Sequence, residues 1–209
     1  MDRKLILVVC LLFFYCTTKN KDFNKSQLKS NCAYLFFRGT ETKQGYISKN
    51  YNLFHKGISH VGIGVSYDGE FYIHHIVNSD KSNHIEKSSL KFFYGNSEKI
   101  NYKGIWKIKN INTEELTKLK KILNIFDNQS YKFDISFIGK KDNKLYCSEL
   151  VIEVLRKLDS TKFIFNKNKK KLLGLHSTFL NRDTLEYFPA DIFLRDENYT
   201  NIFEWYDDK

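Results

Sequence analysis

Proline is nearly missing from this sequence, since Pro189 is the only one among 209 residues. That scarcity excludes a proline-rich linker or stalk. Acidic residues are also outnumbered, with 24 Asp and Glu against 34 Lys and Arg, so the formal net charge is +10. The lysines are spread along the chain without a nucleic-acid-binding motif, and we expect no nucleic-acid partner. A basic surface of this kind suits an anionic envelope polymer or lipid headgroup.

Long apolar runs are also lacking, and the run over residues 5–15 is too short to span a membrane comfortably. A short positive end precedes it and polar residues follow, which predicts a signal peptide over residues 1–16. Cys16 resembles the lipidated cysteine of a bacterial lipoprotein, although Tyr15 stands where a small residue is usual. Residues 17–31 are predicted to be a flexible tether. The expected location is the bacterial cell envelope, as an anchored lipoprotein or a periplasmic or secreted protein.

Cysteine is scarce, with four in the chain, and Cys10 would be discarded with the signal peptide. If Cys16 carries lipid, only Cys32 and Cys147 remain to form a disulfide, in a compartment where disulfides persist. Such a bridge would consume the Cys147 thiol. A structural disulfide and a reactive Cys147 are therefore competing interpretations.

Residues 32–209 have the length and composition of one globular domain. Within it, apolar residues from Leu150 to Leu158 recur at helical spacing and predict an amphipathic helix that starts near Cys147. Unpaired N–H groups and the helix dipole stabilise a thiolate at such a position. The alternative is that Cys147 is a small buried hydrophobic residue.

A predicted β-hairpin supplies histidines that could act on this thiol. Two β-rich runs flank an Asp-Gly turn, and alternation places His60 on the glycine-bearing face of the first strand. On the second strand, His74 and His75 point to opposite faces, and His74 is our choice for the residue that orients His60. A zinc site would need a carboxylate or second cysteine at ligand spacing, so no metal and no cofactor are expected.

Other elements follow from composition and periodicity. Asn112 and Glu115 form a capping box before a predicted helix over residues 113–126. The remaining predictions are strands at 33–37 and 103–109, a polar loop at 38–50, a short helix at 88–94, an exposed loop at 167–171, and an aromatic tail that packs back on the domain.

These motifs together resemble a known family. Ser-His-Val-Gly-Ile at 59–63, Ile-His at 73–74, Tyr-Lys-Phe-Asp at 131–134 and Tyr-Cys-Ser-Glu-Leu-Val at 146–151 are similar to the circularly permuted, papain-like cysteine hydrolases of the NlpC cell-wall peptidase superfamily, in its YiiX/YebB-like group. The order, with the histidine strand first and the cysteine helix last, is typical of the permuted branch. The resemblance implies an α+β fold with a small antiparallel sheet packed against the cysteine helix.

The resemblance also implies roles for individual residues. Cys147 would be the nucleophile, His60 the base and His74 the third catalytic residue, while Tyr131 and Tyr146 would contact substrate or the oxyanion. Tyr131 could equally be an aromatic core residue. Some relatives carry Glu at the third position and lecithin:retinol acyltransferase-like relatives carry His, which favours acyl transfer or lipid processing.

The expected function is an envelope cysteine hydrolase that cleaves an amide through a thioester. Its substrate would be a peptidoglycan peptide or an acylated lipid, and we expect a monomer held at the membrane by an N-terminal lipid. The alternatives are an acyltransferase and a non-catalytic envelope binding lipoprotein.

Overall fold

The computed structural model describes residues 23–78, 83–95, 99–137 and 142–207 and shows an α+β fold. Its main strands are β1 Tyr34–Thr40, β2 His60–Tyr67, β3 Glu70–Ile76, β4 Ile85–Ser89, β5 Ile100–Ile108 and β10 Tyr199–Tyr206. Two small sheets pair β6 Lys132–Phe133 with β7 Lys144–Leu145, and β8 Asn168–Lys171 with β9 Thr184–Tyr187. The helices are α1 Lys43–Asn50, α2 Leu90–Gly95, α3 Thr113–Asp127, α4 Cys147–Leu158 and α5 Leu175–Leu180. No helix within the described ranges is both long and apolar enough to cross a membrane.

The six main strands form one sheet in the order β10-β5-β1-β2-β3-β4, and the neighbouring strands run antiparallel. The predicted hairpin is β2 and β3, which meet at a turn where Asp68 and Gly69 both have positive φ. Such a turn matches the twist of the two strands. Its register pairs Ile63 with His74, so these two side chains share one face of the sheet.

Each face of the sheet is covered by a different set of helices. On one face, α3 and α4 pack against a core that includes Val61, Ile63 and Val65 of β2. On the other face, the ring of Phe93 in α2 lies fully buried beside Phe36 of β1. Because side chains alternate along a strand, adjacent residues of β2 or β3 are separated by the thickness of the sheet.

The capping-box prediction is confirmed. Asn112 accepts a hydrogen bond from the backbone N–H of Glu115, and the Glu115 carboxylate accepts one from the Asn112 N–H. The helix that follows, α3, buries the predicted apolar face against the core. The predicted start of α4 at Cys147 is confirmed as well.

Four of the remaining predictions have clear outcomes. Part of the predicted loop at 38–50 is helix α1, whose N-terminus is capped by the Thr42 hydroxyl. The predicted loop at 167–171 contains strand β8, and the predicted helix at 88–94 is the end of β4 followed by α2. The aromatic tail packs back as expected, because β10 pairs with β5 at the edge of the sheet.

The predicted signal peptide and Cys16 lie outside the described residues. The predicted tether is described from Phe23 onward, where the Phe23 ring packs on Phe203 at 5.2 Å and Leu28 is buried. Cys32 and Cys147 are both free thiols. Cys32 belongs to the core on the α2 side and Cys147 to the core on the α4 side, so no disulfide joins these two residues.

Candidate active site

Cys147 is the first residue of α4 and is nearly buried. The preceding residue, Tyr146, is extended and provides no side-chain cap, so the first N–H groups of the helix are free to point at the thiol. Burial raises the pKa of the thiol above its ordinary value. The backbone N–H groups of Val61, Ser148 and Cys147 and the positive charge of Arg38 oppose that rise in pKa. The net result is a protonated thiol at neutral pH.

His60 begins strand β2 and takes part in a hydrogen-bonded chain of side chains. Its Nε2 atom lies 3.0 Å from Nδ1 of His75, and Nε2 of His75 lies 2.9 Å from Oγ of Ser88. The planes of the two imidazole rings are inclined at 82° to each other, and the Phe93 ring packs against both of them. Nδ1 of His60 is therefore the ring nitrogen that takes no part in this series of hydrogen bonds.

The prediction that His74 contacts His60 was wrong by one residue. His74 lies on the opposite face of β3, where its Nδ1 atom is 2.9 Å from Oδ1 of Asp127 at the end of α3. Its Nε2 atom lies 3.4 Å from the Tyr67 hydroxyl. Because alternate residues of a strand face the same side, His75 shares the face of His60 and His74 does not.

Arg38 carries a buried positive charge on the same face as the two histidines. It pairs with His60 across β1 and β2, and it donates from Nη1 to the Phe93 carbonyl at 2.9 Å. Burial, followed by the nearby Arg38 charge, lowers the pKa of His60 well below its ordinary value and that of His75 to about 3. Both imidazoles are consequently neutral at pH 7.

Cys147 and His60 both lie near the start of β2. Ser59, which precedes His60, lines the same cleft as Cys147, whereas the His60 ring packs against Phe93 on the face covered by α2. The sulfur and the His60 ring are not hydrogen-bonded to each other within the described residues. Catalytic hydrogen bonds are often long before substrate binds and shorten in the substrate complex.

A small cleft with a volume of about 30 Å³ opens over Cys147. Aromatic residues dominate its walls, namely Tyr51, Phe137, Tyr146, Tyr187 and Phe188. Small residues complete it, namely Ser48, Ser59, Pro189 and Ala190. No Asp, Glu, Lys or Arg is among its described lining residues, so the cleft suits an apolar group.

The two tyrosines proposed from sequence have different positions. Tyr146 lines the cleft, and its hydroxyl accepts a hydrogen bond from the Phe188 N–H at 2.9 Å. Tyr131 is buried in the core, where its ring stacks on Phe126 at 5.5 Å. The structure thus places Tyr131 in the aromatic core role and leaves Tyr146 beside the thiol.

One wall of the cleft is fixed by a buried carboxylate. The oxygens of Asp191 accept hydrogen bonds from the backbone N–H groups of Leu53, Phe54 and His55 at 2.5 to 3.1 Å. Asp191 is fully buried. It therefore joins the Pro189–Asp191 segment to the loop after α1, and both segments border the cleft.

Sequence reasoning missed His75, Ser88 and Arg38. The hairpin register could have identified His75, because the turn at 68–69 places His60 and His75 on one face with a two-residue offset. Gly62 also marks this contact, since a Cβ atom there would lie 3.1 Å from Cβ of His75. Arg38 and Ser88 reach the site through pairings between β1 and β2 and between β3 and β4, which no local pattern indicates.

Comparison with known proteins supports the fold. No protein-family model matches the sequence, and no curated protein matches it. Among solved structures, the chain is similar to YiiX from Escherichia coli O157:H7, which is described as a metalloprotein. The two share 14% sequence identity with a TM-score of 0.62, and the match covers 86% of this chain and 100% of the other. At this level of identity the match concerns the backbone architecture, and the chain has a YiiX-like fold.

Proposed function

We propose that the protein is a cysteine hydrolase that takes an apolar acyl group onto Cys147 and releases it to water. The observation that carries the proposal is a buried thiol at a helix N-terminus that shares a cleft with Ser59, the neighbour of a histidine whose Nε2 atom is already hydrogen-bonded. A nucleophile, a base and a residue that orients the base are the parts that acyl transfer requires. The YiiX-like fold is compatible with this chemistry.

The hydrogen-bonded chain gives the base a defined tautomer. If Nε2–H of His75 donates to Ser88, then Nδ1 of His75 accepts from Nε2–H of His60, and Nδ1 of His60 carries a lone pair. A neutral imidazole beside a protonated thiol acts as a general base. The pKa directions of His60 and Cys147 favour this route over a preformed thiolate–imidazolium pair.

The reaction then proceeds through a thioester. His60 accepts the thiol proton as the sulfur attacks the acyl carbonyl, and the backbone N–H groups at the start of α4 stabilise the oxyanion. The protonated His60 gives its proton to the leaving alcohol or amine. Water attacks the thioester with His60 again as the base, and the products are a carboxylic acid and the free thiol.

The cleft lining favours an acyl group over a peptidoglycan stem peptide. A stem peptide is rich in carboxylates, and their recognition commonly uses Arg or Lys side chains. The described walls instead offer aromatic and small side chains. We therefore place acylated lipid esters and amides first as substrates and peptidoglycan peptides second.

The metal in the description of the YiiX structure finds no matching donor set in this chain. No group of three or more His, Cys, Asp or Glu side chains within the described residues could hold a metal ion. The facing nitrogens of His60 and His75 are hydrogen-bonded to each other, and the next polar neighbour is Ser88. No step of the proposed reaction is therefore assigned to a metal.

Acyl-enzyme trapping tests the proposal. The chain is incubated with p-nitrophenyl acyl esters, fatty acyl amides and a muropeptide digest, and peptides containing Cys147 are examined by mass spectrometry. We expect a thioester on Cys147 and release of the free acid with the acyl substrates. Substitution C147S removes both, and His60→Ala slows acylation about 10²- to 10⁴-fold.

Three outcomes would redirect the assignment. Turnover of muropeptides alone would move the substrate to peptidoglycan. Product that forms only with an added alcohol or amine acceptor would indicate an acyltransferase. No acylation of Cys147 by any substrate would overturn the enzyme assignment and leave an envelope binding protein.

We further propose that the mature protein is an envelope lipoprotein attached through Cys16 and that it acts as a monomer. The leader pattern of the sequence supports the attachment. Mass spectrometry of the mature N-terminus is the test, and an unmodified terminus would assign the protein to the secreted or periplasmic pool.

A further inference from the structure

Exposed apolar side chains lie beside the mouth of the cleft. Ile47 is 36% exposed, Leu53 43% and Phe54 39%, although side chains of this kind are normally buried. The same segment of the chain contributes Ser48 and Tyr51 to the lining of the cleft. We call Ile47, Leu53 and Phe54 the apolar rim.

The apolar rim is held in place by the fold. The backbone N–H groups of Leu53 and Phe54 donate to the buried Asp191 carboxylate. Asn52, between Tyr51 and Leu53, is buried and donates to the carbonyls of His55 and Ile58. A loop with this many backbone contacts presents its exposed side chains in a fixed orientation, as a preformed binding surface requires.

Positive side chains surround the apolar rim. The guanidinium of Arg195 stacks on the Phe54 ring at 3.8 Å. Lys56 donates to the carbonyl of Asn52, and Lys170 donates to that of Asn50 at 2.8 Å. Within the described residues these three cations contact an aromatic ring and backbone carbonyls, and none of them forms an ion pair. Lys169 differs, because it lies 3.5 Å from the Glu186 carboxylate.

An apolar surface bordered by cations matches the interface of an anionic bilayer. Apolar side chains enter the boundary between headgroups and acyl chains, while Lys and Arg remain at the level of the phosphates. Cations near such a surface are attracted to its anionic headgroups. A protein partner of the same shape would more often cover the apolar patch with its own apolar side chains and would not need the three cations.

We propose that the apolar rim and its three cations dock the protein onto an anionic lipid bilayer with the cleft mouth toward the lipids. This inference deepens the proposed function. The statement that the docked lipid supplies the substrate rests on that function. An acyl chain could then pass from the bilayer into the aromatic cleft over Cys147 without crossing water.

Hydrogen–deuterium exchange of the full chain on vesicles tests the docking. The chain carries Cys147→Ser, so docking is measured apart from acyl transfer and can fail or succeed independently of it. On vesicles of phosphatidylcholine with phosphatidylglycerol, we expect exchange of peptides spanning residues 43–58 to slow by about threefold or more. The same peptides should be unchanged on phosphatidylcholine alone, and high salt should reverse the protection.

A double substitution at the rim, Leu53→Asp with Phe54→Asp, should abolish this protection. The matched control is Ile125→Asp, which changes an exposed apolar residue on α3 and should leave the protection intact. Unchanged exchange in the peptides of α4, whose sequence is the same in all these variants, shows that each variant is folded. Any contribution of the N-terminal segment to vesicle binding is the same in all variants, because the sequence of that segment does not change.

Two results would overturn the proposal. The first is equal exchange in residues 43–58 with and without anionic vesicles. The second is protection that appears without vesicles as protein concentration rises, since this would identify a second copy of the chain as the occupant of the rim.

Discussion

The Nε2 atom of His60 lies 3.0 Å from the Nδ1 atom of His75, and this contact joins the two strands of the hairpin on the face opposite His74. Ser88 holds the far nitrogen of His75 at 2.9 Å. In the proposed tautomer this contact uses the Nε2–H of His60 and leaves Nδ1 to accept a proton, and the first predictions follow from it.

Substitution His75→Ala should lower kcat/KM for acyl ester hydrolysis about 10²-fold, because His60 loses the acceptor that sets its tautomer. His75→Asn should recover part of the loss, since the Asn carbonyl can occupy the position of Nδ1. His74→Ala should change kcat/KM less than about threefold, because its side chain faces Asp127 on the other side of the sheet. Equal losses for the two alanine variants, each measured per folded molecule, would contradict the assignment.

Ser88 should act as a positioning residue through His75. Substitution Ser88→Ala removes the acceptor for Nε2–H of His75, and we expect a fall of about 3- to 10-fold in kcat with little change in KM. The acidic limb of the pH profile, which reports protonation of His60, should move at the same time, which a purely structural effect would not produce. Ser66→Ala is the matched control, because Ser66 is equally buried on β2 but outside the hydrogen-bonded chain.

The pKa of the Cys147 thiol should lie above that of an ordinary cysteine. Because burial raises the pKa of Cys147, its alkylation by iodoacetamide should be slower at pH 7 than that of a free thiol and should increase as the pH rises beyond 9. Acylation by an ester substrate should already be fast at pH 7, since His60 removes the proton during attack. An alkylation rate that stays constant from pH 6 to pH 9 would indicate a preformed ion pair.

Acid should destabilise the fold through the two neutral histidines. The pKa of His75 falls from 6.5 to about 3 on folding, so the unfolded chain binds the extra proton throughout this interval and stability is lost as pH falls. Each such proton gives a slope of about 1.4 kcal/mol per pH unit in the free energy of unfolding. His75→Gln should flatten the slope between pH 6.5 and pH 4 in urea titrations, whereas His84→Gln, at an exposed position, should not.

Asp191 should stabilise both the fold and the cleft wall. Substitution Asp191→Ala leaves the N–H groups of Leu53, Phe54 and His55 without their acceptor, and we expect a loss of about 2 to 4 kcal/mol in the free energy of unfolding. The KM for acyl substrates should rise as well. Asp183→Ala, at an exposed position, is the control and should cost much less in a denaturant titration.

Much of the fold could be predicted because its determinants are local. The Asp-Gly turn, the capping box before α3 and the apolar periodicity after Cys147 each fix an element through neighbouring residues. Helix α1 was missed because its sequence is polar and contains Gly45. It is stabilised by the Thr42 cap and by packing beside β1, where Gly45 is buried.

The sequence by itself determined the thiol at a helix start, a hairpin that bears histidines and the order in which they occur. Only the tertiary structure decided which histidine orients His60, because His74 and His75 are adjacent in sequence but lie on opposite faces of the sheet. The choice depends on strand register and on which helices cover each face, and both arise from contacts between residues far apart in the chain. Arg38, Ser88 and the aromatic walls of the cleft converge on the site through the same long-range packing.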